Sequence, residues 1–101
     1  MYKITNYSYN KLNELNNLLN TDSINIKSSN NKNKKIDVFI NDVKIASIGN
    51  NKYMDYPNYI KENGKQYADE RRKLYYQRHK KEDSIKNGKI TPSWFAKYFL
   101  W

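Results

Sequence analysis

The residues best suited to chemistry form a run of cations, interleaved with tyrosines, in the second half of the chain. The run comprises Arg71, Arg72, Lys73, Tyr76, Arg78, His79, Lys80 and Lys81. Lysine and arginine side chains neutralise phosphate charges whatever the base sequence. The run therefore predicts nucleic-acid binding through the sugar-phosphate backbone, without sequence specificity. A solvated helix face whose cations form a few ion pairs is the alternative.

The charge of the whole 101-residue chain indicates the same class of partner. The formal net charge is +9, and residues 65–89 contain nine lysines or arginines against four acidic residues. Such an excess repels itself unless an anion lies nearby, so we expect a polyanionic partner. Nucleic acid is the first candidate, and an acidic protein or an anionic membrane surface is the alternative. A lysine-rich surface that only keeps a small protein soluble would give the same composition.

No set of residues predicts catalysis. The sequence contains no cysteine, and its one histidine, His79, lies among cations. The acidic pairs Asp69-Glu70 and Glu82-Asp83 are adjacent in sequence, so the two carboxylates of each pair diverge on a helix. No glycine-rich phosphate loop occurs. We therefore expect a protein that is not an enzyme and that has no cofactor and no metal site.

Apolar runs are short throughout the sequence. None approaches the roughly 18 residues that a membrane-spanning helix needs, and the first residues lack the apolar segment of a secretion signal. We expect no membrane insertion and no secretion.

The cationic run requires a helix to position it. Residues 65–87 predict a long helix from Lys65 to about Asp83, ended by Asn87-Gly88. One stripe of this helix holds Tyr67, Ala68, Arg71, Leu74, Tyr75 and Arg78. Before it, Asp55 could cap a helical turn that starts at Pro57. Three tyrosines lie in this region and could either stack on bases or pack with hydrogen-bonded hydroxyls: Tyr53, Tyr56 and Tyr59.

Residues 35–48 predict a β-hairpin. Apolar residues alternate on both sides of Asn41-Asp42, two residues that tolerate positive φ in a tight turn. Ile24 and Ile26 could add a short edge strand. We expect Trp94, Phe95, Tyr98 and Phe99 of the tail to pack on Ile36, Val38, Ile40, Ile45 and Leu74.

The last eleven residues predict a short aromatic helix. Thr91 is a good N-cap, and Pro92 suits the first helical position because no N–H is needed there. Trp94, Phe95 and Tyr98 are expected in the core. The sequence leaves open whether Leu100 and Trp101 belong to the core or to an interface.

The first 34 residues predict a helix followed by a flexible basic linker. The helix is expected near residues 9–19, capped by Ser8 or Asn10, with a packing stripe of Leu12, Leu15, Leu18 and Leu19. Residues 35–101 form the predicted core domain. The fold class is α+β, a small single domain in which a hairpin is covered by the basic helix and the aromatic helix.

A series of short motifs follows the predicted hairpin. They are Gly49, Tyr53-Met54-Asp55-Tyr56, Arg71, Tyr75-Tyr76-Gln77-Arg78-His79 and the tail Thr91-Pro92-Ser93-Trp94-Phe95-Ala96-Lys97-Tyr98-Phe99-Leu100-Trp101. In this order, over residues 35–101, they resemble a family of small, basic, uncharacterised proteins of large nucleocytoplasmic DNA viruses (giant viruses). The tail aligns without a gap, although Ser93 stands where glycine is usual and Trp94 and Phe95 are in swapped order.

The resemblance implies a shared fold and a viral origin more than an activity. Together with the charge, it leads us to expect a viral protein that binds nucleic acid. A minor capsid or core protein that contacts an acidic virion protein is the alternative. The expected location is the virion or the interior of the infected host cell, in its cytoplasm or nucleus.

Overall fold

A three-stranded antiparallel sheet with two helices on one face forms the core. The computed structural model describes residues 1–80, 85–86 and 89–101, with the backbone alone at 85, 86 and 89. In chain order the elements are α1 (Asn6–Leu18), β1 (Ile24–Ser28), β2 (Lys34–Ile40), β3 (Val43–Asn50), α2 (Tyr56–Asn63), α3 (Lys65–His79), β4 (Ile85–Lys86), β5 (Lys89–Ile90) and α4 (Pro92–Leu100). The predicted α+β class is confirmed.

The sheet contains the predicted hairpin and the predicted edge strand. The strand order is β1-β2-β3, and both pairings are antiparallel. Asn41 and Asp42 connect β2 to β3 with φ values of 51° and 65°. Both residues therefore adopt the left-handed conformation that a tight hairpin turn requires.

A β-bulge decides which face of β3 is buried. Val38 pairs with Ala46, whereas Phe39 pairs with Lys44, so Ile45 is the extra residue on β3. Ala46 and Ile48 consequently face the core, while Val43 is 63% exposed and Ile45 is also exposed. The prediction that Ile45 belongs to the core is wrong because successive side chains of a strand point to opposite faces.

The first helix starts earlier than its sequence predicts. Its N-cap is Thr5, whose hydroxyl accepts a hydrogen bond from the Ser8 backbone N–H, so the prediction of Ser8 or Asn10 as cap is wrong. The buried Ser8 hydroxyl instead donates to the Phe99 carbonyl oxygen over 2.7 Å. Ser8 therefore fastens α1 to the last turn of α4.

Half of the leucine stripe in α1 is buried. Leu12 and Leu15 lie in the core, as predicted. Leu18 is 80% exposed and Leu19 is also exposed, so their assignment to the packing stripe is wrong. The helix ends at Leu18, and the chain then turns toward β1, which leaves these two side chains beyond the contact with the sheet.

The segment before residue 35 contributes to the same core as the segment after it. Leu12, Leu15, Ile24 and Ile26 belong to one buried cluster with Ile36, Val38 and Ile48. The boundary predicted at residue 34 runs through this cluster. The predicted edge strand within this segment is β1, which is hydrogen-bonded to β2 along its length.

The basic helix α3 lies beside the sheet's cover and is not part of it. Helices α1 and α4 pack on the strands, whereas α3 packs mainly against α2. Leu74 of α3 is 46% exposed, so its predicted place in the core is wrong, and the buried residue of α3 is Ala68. Gly64, with a φ of 87°, separates α2 from α3.

The predicted course of α3 beyond residue 80 falls largely outside the described residues. The helix ends at His79, with Lys80 as its C-cap. Residues 81–84 and 87–88 are not described, and these include Asp83 and the Asn87-Gly88 stop. The short pairing of β4 with β5 was not predicted.

The aromatic helix α4 closes the core. Thr91 caps it by accepting a hydrogen bond from the Trp94 N–H, and Pro92 is its first residue, as predicted. Phe95, Phe99 and Leu100 are fully buried, while Trp94 and Tyr98 stack on each other at 4.9 Å and are partly buried against the core. No helix among the described residues is long and apolar enough to cross a membrane.

Candidate functional site

The outer face of α3 carries one group of the predicted site residues. We call the open patch there the outer patch; it is lined by Arg72, Lys73, Tyr76 and Lys80, together with Asp69 and Gln77. The Arg72 guanidinium lies 4.7 Å from the centre of the buried Tyr56 ring, and its Nε donates to the Tyr76 hydroxyl over 3.4 Å. Arg72 is thus held over two aromatic rings, whereas Lys73 and Lys80 extend into solvent.

A second helix adds a cation to this patch. The Nζ atom of Lys97 on α4 lies 5.4 Å from the centre of the Tyr76 ring. The Tyr76 hydroxyl donates to the Trp101 backbone oxygen over 3.2 Å, which joins α3 to the end of α4. Lys97 was not among the predicted site residues, because no local pattern relates it to α3.

The other predicted residues face a cleft between α3, the end of α4 and the loop after β3. The cleft has a volume of about 430 Å³. Arg71, Arg78 and His79 line it from α3, and the remaining lining residues are Lys35, Gly49, Asn50, Tyr53, Met54, Tyr59, Tyr75, Ala96, Leu100 and Trp101. We call this space the aromatic cleft.

One wall of the aromatic cleft is a column of stacked rings. The His79 ring lies 4.1 Å from the Tyr75 ring, and Tyr75 lies 4.4 Å from Trp101 with an angle of 9° between the planes. Tyr59 contacts Trp101 at 6.1 Å and lies beneath the Arg71 guanidinium at 5.5 Å. Each ring restrains its neighbours, so the wall presents aromatic surface at little further entropic cost.

A buried polar cluster lies behind this cleft, formed by Tyr2, Lys35, Asp55 and Asn58. The Asp55 carboxylate accepts hydrogen bonds from the Tyr2 hydroxyl at 2.7 Å and from Lys35 Nζ at 2.9 Å. It also accepts from the backbone N–H and the side-chain amide of Asn58, and thereby caps α2 as predicted. Through these hydrogen bonds, the Asp55 carboxylate joins the N-terminal segment (Tyr2), β2 (Lys35) and α2 (Asn58).

The environment of this cluster changes the acidity of Tyr2. Burial raises the pKa of the Tyr2 hydroxyl well above its ordinary value of about 10, and the hydrogen bond to Asp55 and its negative charge raise the pKa further. The proton of Tyr2 is therefore retained in the folded protein, which keeps the hydroxyl a donor to Asp55.

Five cations of α3 differ from Lys35 in forming no ion pair with an acid among the residues that the structure describes: Arg71, Arg72, Lys73, Arg78 and Lys80. The ion pairs there are Lys11–Glu14, Lys35–Asp55 and Lys65–Asp69. Asp69 is the acidic residue of the outer patch, and Lys65 lies 2.8 Å from it. Hydrogen bonds from Lys65 and from Tyr56 hold the pKa of the Asp69 carboxyl below its usual range. The Asp69 carboxylate therefore interacts with Lys65 and Tyr56.

The structure divides the predicted site instead of gathering it on one face. Arg71, Arg78 and His79 lie at the aromatic cleft, Arg72, Lys73, Tyr76 and Lys80 lie at the outer patch, and Lys81 lies outside the described residues. Lys35, Tyr75 and Trp101 were missed as site residues, whereas the sequence left open whether Tyr53 stacks on bases or packs. The adjacency of Tyr75 to the cationic run was the one local signal that could have included it.

Within the described ranges, no three histidine, cysteine or acidic residues lie close enough together to hold a metal ion. Searches against protein-family models, curated proteins and solved structures found no match to the chain.

Proposed function

We propose that this chain is a non-enzymatic protein that binds nucleic acid through phosphate contacts, without sequence specificity. The observation that carries the proposal is the pairing of two features on α3. Arg71, Arg72, Lys73, Arg78 and Lys80 form no ion pair with an acid within the described residues, and they flank exposed and cleft-lining aromatic rings. Phosphates supply the missing negative charge, and bases supply rings that stack on tyrosine.

Aromatic surface favours nucleic acid over an acidic protein as the partner. The charge of an acidic protein would be matched by the cations, whereas a nucleotide matches both the cations, through its phosphate, and the rings that line the cleft, through its base. A virion structural module that contacts an acidic protein is the second candidate. The resemblance over residues 35–101 supports a viral origin and a location in the virion or the infected cell.

The outer patch provides the test of this proposal. Lys73→Gln combined with Lys80→Gln removes two exposed charges from α3. A matched control, Lys44→Gln combined with Lys52→Gln, removes two exposed charges from the sheet and its loop. Binding to labelled DNA is measured over a salt series. We expect the slope of log affinity against log salt to fall by about 2 for the α3 variant, because each lost phosphate contact removes about 1.

The control variant should keep the slope of the unmodified protein. Equal losses in both variants would show that net charge acts without any defined surface. Failure to bind either single-stranded or duplex nucleic acid at low salt contradicts the proposal. Tight binding to polyglutamate in the same assays would then favour the acidic protein partner.

A further inference from the structure

The aromatic cleft has the dimensions of a site for a small planar ligand. Its volume of about 430 Å³ lies within the range of roughly 300–1,000 Å³ that is usual for such sites. The lining combines five aromatic or imidazole side chains and apolar side chains with a few cations. A single base with its sugar and phosphate suits this space, whereas a double helix is far too wide for it.

The charge inside the cleft selects an anionic ligand. Arg71 and Arg78 are seven residues apart, two helical turns, and both line the cleft on the side of α3 that carries Tyr75. No aspartate or glutamate side chain lines the cleft among the described residues. Asp55 lies behind it, but its oxygens already accept from Tyr2, Lys35 and Asn58. A phosphate beside a ring is the anion that matches this arrangement.

Tyr53 supplies an unused stacking surface on the cleft lining. It is 70% exposed, in the loop between β3 and α2. Its ring makes no contact with another ring in the part of the chain that the structure describes, in contrast to Tyr59, Tyr75 and Trp101. Large exposed aromatic side chains of this kind are used by single-strand-binding proteins as platforms for bases.

We infer that the aromatic cleft receives one unpaired nucleobase, with Arg71 and Arg78 at its phosphate, so that the protein binds single-stranded nucleic acid more tightly than duplex. This inference rests on the proposed function and specifies its substrate. In a duplex both faces of a base are covered by its stacking neighbours. A base can therefore enter the cleft only from a single strand or after local unpairing of a duplex. The outer patch, which contacts phosphates alone, binds both forms.

Tyr53→Leu tests the inference directly. Binding of a short labelled DNA strand is compared with binding of the duplex of the same sequence, at one fixed salt concentration. We expect the variant to lose roughly tenfold or more in affinity for the single strand, and to bind the duplex as before. Tyr9→Leu is the matched control, because Tyr9 is also exposed but lies on α1 away from the cleft. It should change neither affinity.

Trp101 provides a second, spectroscopic measurement of the same event. It lines the cleft, and Trp94→Phe would leave it as the sole tryptophan of the chain. Stacking of a base in the cleft should quench its fluorescence on addition of the single strand, and Tyr53→Leu or Arg78→Gln should weaken this response.

The outcomes separate the inference from the proposed function. Equal affinity for strand and duplex, with no effect of Tyr53→Leu, would overturn the inference and leave phosphate binding intact. If neither nucleic acid binds at low salt, both the inference and the proposed function fail. Loss of duplex and single-strand binding in parallel on Tyr53→Leu would also overturn the inference, because it would mean that Tyr53 serves a contact common to both.

Discussion

The buried polar cluster and the basic helix α3 use the same residue types in opposite ways. In the cluster, Lys35 is 5% exposed and lies 2.9 Å from a fully buried carboxylate, Asp55. On α3, Lys73 and Lys80 are exposed, and neither they nor Arg71 and Arg78 pair with an acid within the described residues. Lys35 thus has a carboxylate within ion-pair distance, whereas these four cations have none among the described residues.

Under the proposed function, this difference separates the residues that act on stability from those that act on binding. A buried ion pair costs desolvation, and it is maintained only where further hydrogen bonds satisfy the remaining polar atoms. Tyr2 and Asn58 provide those bonds to Asp55. Exposed cations remain hydrated and contribute little to folding, so they stay available for a phosphate. We therefore expect substitutions in the cluster to act on unfolding and substitutions on α3 to act on binding.

The largest effect is expected at Asp55. Asp55→Ala leaves Lys35 buried without its partner and removes the cap of α2, so the free energy of unfolding should fall by about 3–5 kcal/mol. Chemical denaturation measures this change. Asp55→Asn should lose less, because its amide oxygen can still accept from the Asn58 N–H and cap α2, although its amide nitrogen replaces the oxygen that accepts from Tyr2 and Lys35. Asp22→Ala, at an exposed bend, is the control and should change the free energy little. Similar losses at Asp55 and Asp22 would contradict the distinction between the two regions.

An intermediate effect is expected from alkaline pH. Because the pKa of Tyr2 is raised on folding, first by burial and then by Asp55, its contribution is complete below pH about 10. Above that pH the unfolded chain loses the proton first, so stability should fall by up to about 1.4 kcal/mol per pH unit from this group. Tyr2→Phe should flatten the measured slope by that amount, whereas Tyr9→Phe, at an exposed position, leaves it unchanged. An identical slope in all three proteins contradicts this role of Tyr2.

The smallest effect on folding is expected at Asp69. Its ion pair with Lys65 is as short as that of Asp55 with Lys35, but both of its side chains are exposed. Asp69→Asn should leave the denaturation midpoint unchanged near neutral pH, since an amide oxygen can still accept from Tyr56. The same variant adds a net positive charge to the outer patch and should tighten DNA binding a few-fold at low salt, an advantage that salt removes. A marked loss of stability would show that this exposed pair acts like the buried one.

Local signals predicted the elements well. The Asn41-Asp42 turn, the caps at Asp55 and Thr91 and the helix after Gly64 each depend on residues that are close in sequence. The bulge at Ile45 does not, because it depends on how two strands align, and it exchanged the buried face of β3. Leu18 is exposed for a similar reason, because its burial depends on where α1 ends relative to the sheet.

The candidate site was predicted only where its residues are close in sequence. The cations of α3 are adjacent in sequence, and composition alone singles them out. The aromatic cleft joins Tyr53 from one loop, Tyr75 from α3 and Trp101 after α4, and nothing in their spacing relates them. Lys35 shows most clearly what composition cannot predict. It lies in a basic stretch typical of surface lysines, but its side chain is buried and pairs with Asp55.

The contact of α4 with the sheet has a consequence for the biosynthesis of the protein. Phe95, Phe99 and Leu100 complete the core over strands that are translated much earlier. The Ser8 hydroxyl likewise has its acceptor, the Phe99 carbonyl oxygen, only after residue 99 has been added. At roughly 5–20 residues per second, the apolar face of the sheet leaves the ribosome several seconds before its cover. During that interval α4 cannot yet cover Ile36, Val38 and Ile48 in the nascent chain.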